Sequence, residues 1–271
     1  MFNWDSLLKP GPCFIGILNC TPDSFSDGGR FREPIPALRQ ALHLVAEGAK
    51  VIDVGAESTR PGSIPIEPEE EWDRLHKVLS LLRQELPSKI LLSIDTKNVS
   101  TARRAVDIGV TIVNDVTGFS NPQMLALLDD KSIGAIAMRS TVVKHRLFMP
   151  KYGDSRVDLQ GKLAELLNVI TRMKETSVSP QQCLVDIGFG FGTTFSEDAA
   201  LWDYLMHDKS SFGWPHNRFC IGISRKRFLA WRTHQPDLPP HQRDHLTHES
   251  ISELMGVGYQ FFRVHNVPRY A

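Results

Sequence analysis

The stretch from residue 90 to 113, ILLSIDTKNVSTARRAVDIGVTIV, decides how the fold is read. It opens on an apolar run, Ile90-Leu91-Leu92-Ser93-Ile94, that stops at Asp95 and Thr96. A segment with helical spacing runs from Val99 to Ile108, and a second run, Thr111-Ile112-Val113, stops at Asn114 and Asp115. Short runs rich in Ile, Val and Leu between polar residues read as strands. Two such strands joined by a helix are parallel neighbours, because a parallel pair needs a crossover connection and that crossover takes a right-handed turn.

The same alternation extends to both ends of the chain. Strands are expected at 14–18, 51–54, 90–94, 111–113, 135–138, 183–185, 219–223 and 261–264, and helices at 35–47, 67–86, 99–108, 122–129, 159–176, 199–206 and 249–257. The second helix carries the clearest signals. Pro68 suits its first turn, Glu69, Glu70 and Glu71 follow, Trp72, Leu75, Val78, Leu79 and Leu82 recur at helical spacing, and Pro87 stops it. Eight strands in alternation with seven helices predict an α/β fold, a (β/α)8 TIM barrel occupying residues 1–271 as one domain, with a doubly wound open sheet as the competing arrangement. The closing C-terminal helix is expected to be missing, because only Asn266 to Ala271, with Pro268 among them, follow the eighth strand.

Composition narrows the function classes. The 271 residues are 41% hydrophobic and 23% charged, which excludes a disordered chain, a collagen and a coiled-coil rod. Lys plus Arg and Asp plus Glu are 31 each, so no basic field is available to hold a nucleic acid by counterion release. Apolar runs fall far short of the roughly 20 residues of a membrane span, and the first residues carry no basic-then-apolar leader pattern. Cys13, Cys20, Cys183 and Cys220 form no CxxC pair and no zinc spacing. A reduced, cytoplasmic protein is expected.

In such a barrel the functional groups sit at the C-terminal ends of the strands, and the polar residues of this chain gather there. Asn19 to Gly29 follow the first strand and Gly55 to Gly62 the second. Asp95-Thr96, Asn114-Asp115, Asp186, Ser224-Arg225-Lys226 and Arg263-Val264-His265 end five others. Side chains alternate faces along a strand, so Ser93 shares a face with Asp95, and Arg263 with His265. Taken singly, Asp95, Asn114 and Asp186 read equally as helix N-caps, and Arg60, Lys226 and Arg263 as solvated charges. Taken together on one rim they point to two chemistries. Arg60, Arg263 and His265 suit a phosphate or diphosphate. Asp95, Asn114 and Asp186 suit a flat, nitrogen-rich heterocycle, since a carboxylate accepts hydrogen bonds from adjacent ring N–H and amino groups.

These residues in this order resemble the dihydropteroate synthases of the folate pathway. Gly16-Ile17-Leu18-Asn19-Cys20-Thr21-Pro22-Asp23-Ser24-Phe25-Ser26-Asp27-Gly28-Gly29 is similar to that family's first signature, and Asp53-Val54-Gly55 through Glu57-Ser58-Thr59-Arg60-Pro61-Gly62 to its second. Ser93-Ile94-Asp95-Thr96, Asn114-Asp115-Val116, Gly188-Phe189-Gly190-Phe191-Gly192, Ser224-Arg225-Lys226 and Arg263-Val264-His265 follow in the family's order. The resemblance implies condensation of a dihydropterin hydroxymethyl diphosphate with 4-aminobenzoate, giving dihydropteroate and diphosphate. It implies that Asp95, Asn114, Asp186 and Lys226 hold the pterin, that Asn19 binds Mg²⁺ and the diphosphate, and that Arg263 and His265 form the anion site. Thr59, Arg60, Pro61, Phe191 and Ser224 would surround the aminobenzoate, and a homodimer would be the assembly.

Three positions depart from the family. Thr193 stands where a lysine usually follows the Gly-Phe-Gly run, Asn266 where an aspartate follows Arg-Val-His, and Met138-Arg139-Ser140 where a Met-His sequence usually ends the fifth strand. Two further readings keep the barrel and its pterin readers: a pterin-binding methyl-transfer domain, against which the long first loop argues, and a pterin-binding subunit that completes its site with a partner. The segments 139–156 and 231–248 are expected to be long loops, the first a solvated lid or spacer.

Overall fold

The computed structural model describes residues 1–20, 34–56, 66–143, 146–147, 157–207 and 213–268. Eight strands form its centre: β1 (Cys13–Asn19), β2 (Ala49–Gly55), β3 (Leu91–Asp95), β4 (Ile112–Asp115), β5 (Gly134–Met138), β6 (Cys183–Asp186), β7 (Phe219–Ile221) and β8 (Phe261–Val264). Each pairs in parallel with the next, and β8 pairs with β1 through Cys13 and Phe261, so the sheet is a closed barrel and not an open one. A short antiparallel pair, Val142–Val143 with Arg146–Leu147, lies outside it.

Helices α1 (Ile35–Ala46), α2 (Pro68–Glu85), α3 (Val99–Asp107), α4 (Pro122–Leu125), α5 (Leu159–Lys174), α6 (Phe195–His207), α7 (Arg227–Arg232) and α8 (Asp244–Gly256) connect the strands. The helix α2 buries Leu75, Val78, Leu79 and Leu82, the stripe its sequence spacing predicts. At the start of α5, Asp158 accepts from the Gly161 N–H at 2.9 Å, satisfying a donor that the helix itself leaves open. Among the described residues no helix follows β8. Val267 is buried there and lies against the turn at Gly48 that leads into β2.

Several boundaries differ from those expected. The helix expected at 199–206 begins at Phe195, because Thr194 and Glu197 form a capping box: the Thr194 N–H donates to Glu197 at 2.8 Å and the Glu197 N–H to the Thr194 hydroxyl at 3.1 Å. The segment 231–248 is not one long loop. It holds the end of α7, a 3₁₀ turn at Pro240–Arg243 and the start of α8. Asn114 and Asp115, expected just beyond the fourth strand, are its last two residues.

The barrel interior is layered. Cys13, Ile15, Val51, Ile112, Ile136, Leu184, Cys220 and Phe261 form an apolar floor, sealed from below by Trp4. The Trp4 ring meets Phe261 edge-on at 5.5 Å, and its indole N–H donates to the Gln182 carbonyl at 3.2 Å. No described helix is long and apolar enough to cross a membrane.

Candidate active site

Side chains two residues apart on a strand share a face. Two residues beyond the apolar floor, the same inner faces turn polar: Val51 gives way to Asp53, Ile112 to Asn114, Leu184 to Asp186 and Phe261 to Arg263. Ser93 and Asp95 add the inner face of β3. These residues meet. The Arg263 Nε donates to Asp53 Oδ2 at 2.6 Å, its Nη2 to Asp95 Oδ2 at 2.6 Å, and the Asn114 amide nitrogen donates to the same Asp53 oxygen at 2.8 Å. Burial alone would lower the pKa of Arg263, but Asp53 and Asp95 more than reverse this and hold it above the usual range. Burial pushes Asp95 up, Arg263 pulls it back, and Asp53 adds to the rise.

None of the three residues that read as possible helix caps is one. Asn98 and Asn121 occupy the N-cap positions of α3 and α4. Asp186 instead accepts from the Gly188 N–H at 2.7 Å, inside the loop after β6. Its carboxyl is raised by burial, against the pull of that N–H and of Arg263 and Lys226. A side chain at Gly222 would put its Cβ 3.0 Å from the Asp186 carboxylate, so this glycine, which the sequence reading passes over, makes the room that Asp186 occupies.

The loop after β6 is built in two directions. Phe189 turns inward and stacks on Phe228 of α7, with ring centroids 5.1 Å apart, whereas Phe191 lies 4.3 Å from the Lys226 ammonium. Arg139, fully buried at the end of β5, donates to the Ile187 carbonyl at 2.7 Å and the Gly188 carbonyl at 2.5 Å, and pairs with Glu165 of α5 at 3.0 Å. Gly188 has a φ of +72°, and a Cβ there would strike the Arg139 carbonyl oxygen, so the position requires glycine. Thr193 donates to Asp198 at 2.6 Å, and the Gly190 N–H reaches both at 3.0 Å. Burial pushes Asp198 up to about 6 and Lys226 down to about 8, each restrained by the other's charge.

On the adjoining rim, beyond β7 and β8, Ser224 accepts from the His265 backbone N–H at 3.0 Å and lies 3.1 Å from its Nδ1. Burial, together with the charges of Arg225, Arg263 and Lys226, drives His265 down to about 3. The imidazole is therefore neutral near pH 7, and its share in an anion site is that of an N–H donor, not a cation. Asn266 donates to Asp244 at 3.4 Å, and Asp244 already accepts both arms of Arg225, at 2.7 and 2.8 Å. An aspartate at 266 would face that carboxylate, which accounts for the amide.

The structure thus gathers Asp95, Asn114, Asp186, Arg263, Lys226, Phe191, Ser224 and His265 at one mouth, with Asn19 ending the adjoining β1. Thr59, Arg60 and Pro61 lie outside the described residues, as do the first loop from Thr21 to Gly29 and most of the expected lid. Asp53 and Arg139 were missed as site residues. Asp53 is visible in sequence only as a charge interrupting the apolar run of β2, and Arg139 only as a departure from the family.

The sequence pattern of the pterin binding enzymes matches residues 15–265. The dihydropteroate synthase of Bacillus subtilis strain 168 is 32% identical over 258 residues, covering 95% of this chain and 84% of that protein. Among solved structures, dihydropteroate synthase of Xanthomonas albilineans with 4-aminobenzoic acid superimposes with a TM-score of 0.80 at 30% identity, over 95% of this chain and 89% of the other. The Burkholderia cenocepacia dihydropteroate synthase complexed with 7,8-dihydropteroate gives a TM-score of 0.75 at 29% identity, over 94% of this chain and 86% of the other. With its barrel and nearly its whole length matched, the chain belongs to the pterin binding enzymes and, within them, to the dihydropteroate synthases.

Proposed function

We propose that the mouth of the barrel binds 6-hydroxymethyl-7,8-dihydropterin diphosphate and 4-aminobenzoate and joins them by loss of diphosphate followed by attack of the amine. The observation that carries this is the row of acceptors on one inner face, Asp95, Asn114 and Asp186, flanked by Lys226 and Arg263. A dihydropterin edge offers consecutive N–H donors, and a buried carboxylate left without such a donor would cost about 1–3 kcal/mol or more, so these residues select the ring.

When the C–O bond to the diphosphate breaks, its electron pair leaves with the anion and positive charge spreads from the methylene carbon into the ring. Asp186, aimed by the Gly188 N–H, faces that developing charge and stabilises it through its carboxylate form in a water-poor site. Arg263 and the neutral His265 offer N–H donors to the departing anion. The amine, held about 3–3.5 Å from the methylene carbon, forms the C–N bond and releases a proton to solvent. Phe191 and Ser224 bound the space on that side, with Thr59, Arg60 and Pro61 assigned there by the family resemblance. No covalent intermediate with the protein is required.

Magnesium needs few protein ligands when substrate phosphates supply the rest. Among the described residues no group of three His, Cys, Asp or Glu side chains gathers as a cage, and the amide oxygen of Asn19, a hard donor at the rim, suits that smaller requirement. When bound, the ion would neutralise charge on the leaving diphosphate.

The test is diphosphate release by the purified chain, with and without 4-aminobenzoate and with and without Mg²⁺. Release that needs all components, with dihydropteroate formed, is the expected result. Pterin binding without any release would overturn the enzyme reading in favour of a binding subunit.

A further inference from the structure

We infer that Asp53 is a positioning residue that sets the specificity of the pterin subsite, by fixing which way the Asn114 amide faces and by anchoring Arg263 when Asp95 turns to the ligand. This rests on the pterin reading above. Asp53 is fully buried in the middle of β2, where register places it between Ile17 of β1 and Ser93 of β3. A charged side chain at such a depth is costly unless it is paired. One oxygen of this one takes both the Arg263 Nε and the Asn114 amide nitrogen, while the other, Oδ1, is buried with no hydrogen-bond partner among the described residues.

The chemistry of the pair removes a choice. An ionised carboxylate only accepts hydrogen bonds, whereas a carboxamide both donates and accepts. Facing Asp53, Asn114 must present its NH₂, which leaves its carbonyl oxygen for a second partner. With Asp95 and Asp186 the ligand then meets three acceptors in a row. A ring that offers N–H groups along one edge is admitted, and a ring that offers a carbonyl at one of those positions meets an acceptor facing an acceptor. An amide free to rotate would accept either ring.

Arg263 makes the second link. It is shared between Asp53 and Asp95 through different nitrogens of one planar fork. A ligand that draws Asp95 into hydrogen bonds weakens one arm of that fork, and the bond to Asp53 keeps the guanidinium in the mouth, with its remaining N–H groups turned to an anion. Without the charge on Asp53, Arg263 would pair with Asp95 alone and cover the carboxylate that reads the ring.

The test uses Asp53→Asn, which keeps volume and removes the obligatory acceptor, in the full-length chain. Pterin affinity is measured by calorimetry with 6-hydroxymethylpterin and with its 2-oxo analogue, in which the ring amino group is replaced by a carbonyl. Steady-state constants follow for both substrates. The variant is expected to bind the pterin about tenfold more weakly, to discriminate at least tenfold less between the two rings, and to leave KM for 4-aminobenzoate within twofold. Adding Asn114→Ala is expected to produce no further loss of discrimination, since Asp53 acts through that amide. Unchanged discrimination in Asp53→Asn, or a loss of thermal stability with both KM values moving together, would overturn the inference and leave Asp53 a structural residue. A wild-type protein that binds neither ring would instead overturn the pterin reading itself.

Discussion

The floor and the mouth of the barrel are made by the same strands, on the same inner faces, two residues apart, and they are opposites. At the floor, Val51, Ile112, Leu184 and Phe261 close on one another above Trp4 with no charge among them. At the mouth, Asp53 and Asp186 are buried carboxylates beside the amide of Asn114, and the half-buried Arg263 pairs with Asp53. Burial of apolar surface stabilises at roughly 25 cal/mol per Å², whereas burying charges costs free energy even when they are paired. The floor is therefore where the barrel gains its stability, and the mouth is where part of it is given up for recognition. Changes at the two ends should separate stability from activity.

The largest effect is expected at the floor. Trp4→Ala removes a fully buried indole that covers Phe261 and ties the segment before β1 to Gln182. A loss of about 3–5 kcal/mol is expected, read as a drop in Tm. Both KM values at low temperature should stay unchanged, because Trp4 packs with the floor, against Phe261 and Gln182. A variant that stays stable but turns over poorly would break the division between the two ends.

Asp186→Asn is the counterpart at the mouth. It keeps shape and the contact with Gly188 but removes the charge opposite the developing cation. Turnover is expected to fall about 10²–10³-fold, with Tm unchanged or slightly raised, since a buried carboxylate is relieved. Single-turnover rates and thermal denaturation on the same preparation decide it.

The comparison also shows what the sequence made legible. The barrel followed from repeated apolar runs ending in polar residues, and Asp95, Asn114 and Asp186 were readable as one site because period-two alternation puts strand ends on a shared inner face. The helix α7 was missed because six residues are too few to show a period. Trp4 was missed because its partners, Gln182 and Phe261, lie far along the chain. Asp53 stood in a quoted motif yet drew no role, since its meaning is set by Asn114 and Arg263, 61 and 210 residues away. Local pattern gives the face of a residue, and only the closed barrel gives its partners.

Arg139 tests whether support beneath the mouth behaves like the floor or like the mouth. Its planar fork spans the Ile187 and Gly188 carbonyls and Glu165 at once, which a single ammonium does not reproduce. Arg139→Lys leaves at least one buried carbonyl without its donor, at an expected cost of about 1–3 kcal/mol. Because Gly188 aims Asp186, kcat should fall as well, with KM for 4-aminobenzoate little changed. A stability loss with unaltered kcat would place Arg139 with the floor.

The smallest expected effect is the sharpest in sign. Burial lowers Lys226 to about 8 from an ordinary 10.5, with Asp198 and Asp186 pulling back. As pH rises through about 8 the folded protein loses this proton, and with it the cation beside Phe191 and Asp186, so kcat/KM should fall about fivefold from pH 8 to pH 9 if the charged form is the one that binds. Stability moves the other way. Between about pH 8 and 10.5 the unfolded chain holds the proton that the folded chain has released, so the contribution of Lys226 to unfolding free energy rises with pH. In Lys226→Met both trends should flatten together, because one proton underlies them. His265, driven down to about 3, adds no inflection between pH 5 and 8. A decline in activity that persists unchanged in Lys226→Met would assign the titration to another group, and the coupling of lost activity to gained stability would then no longer belong to the mouth.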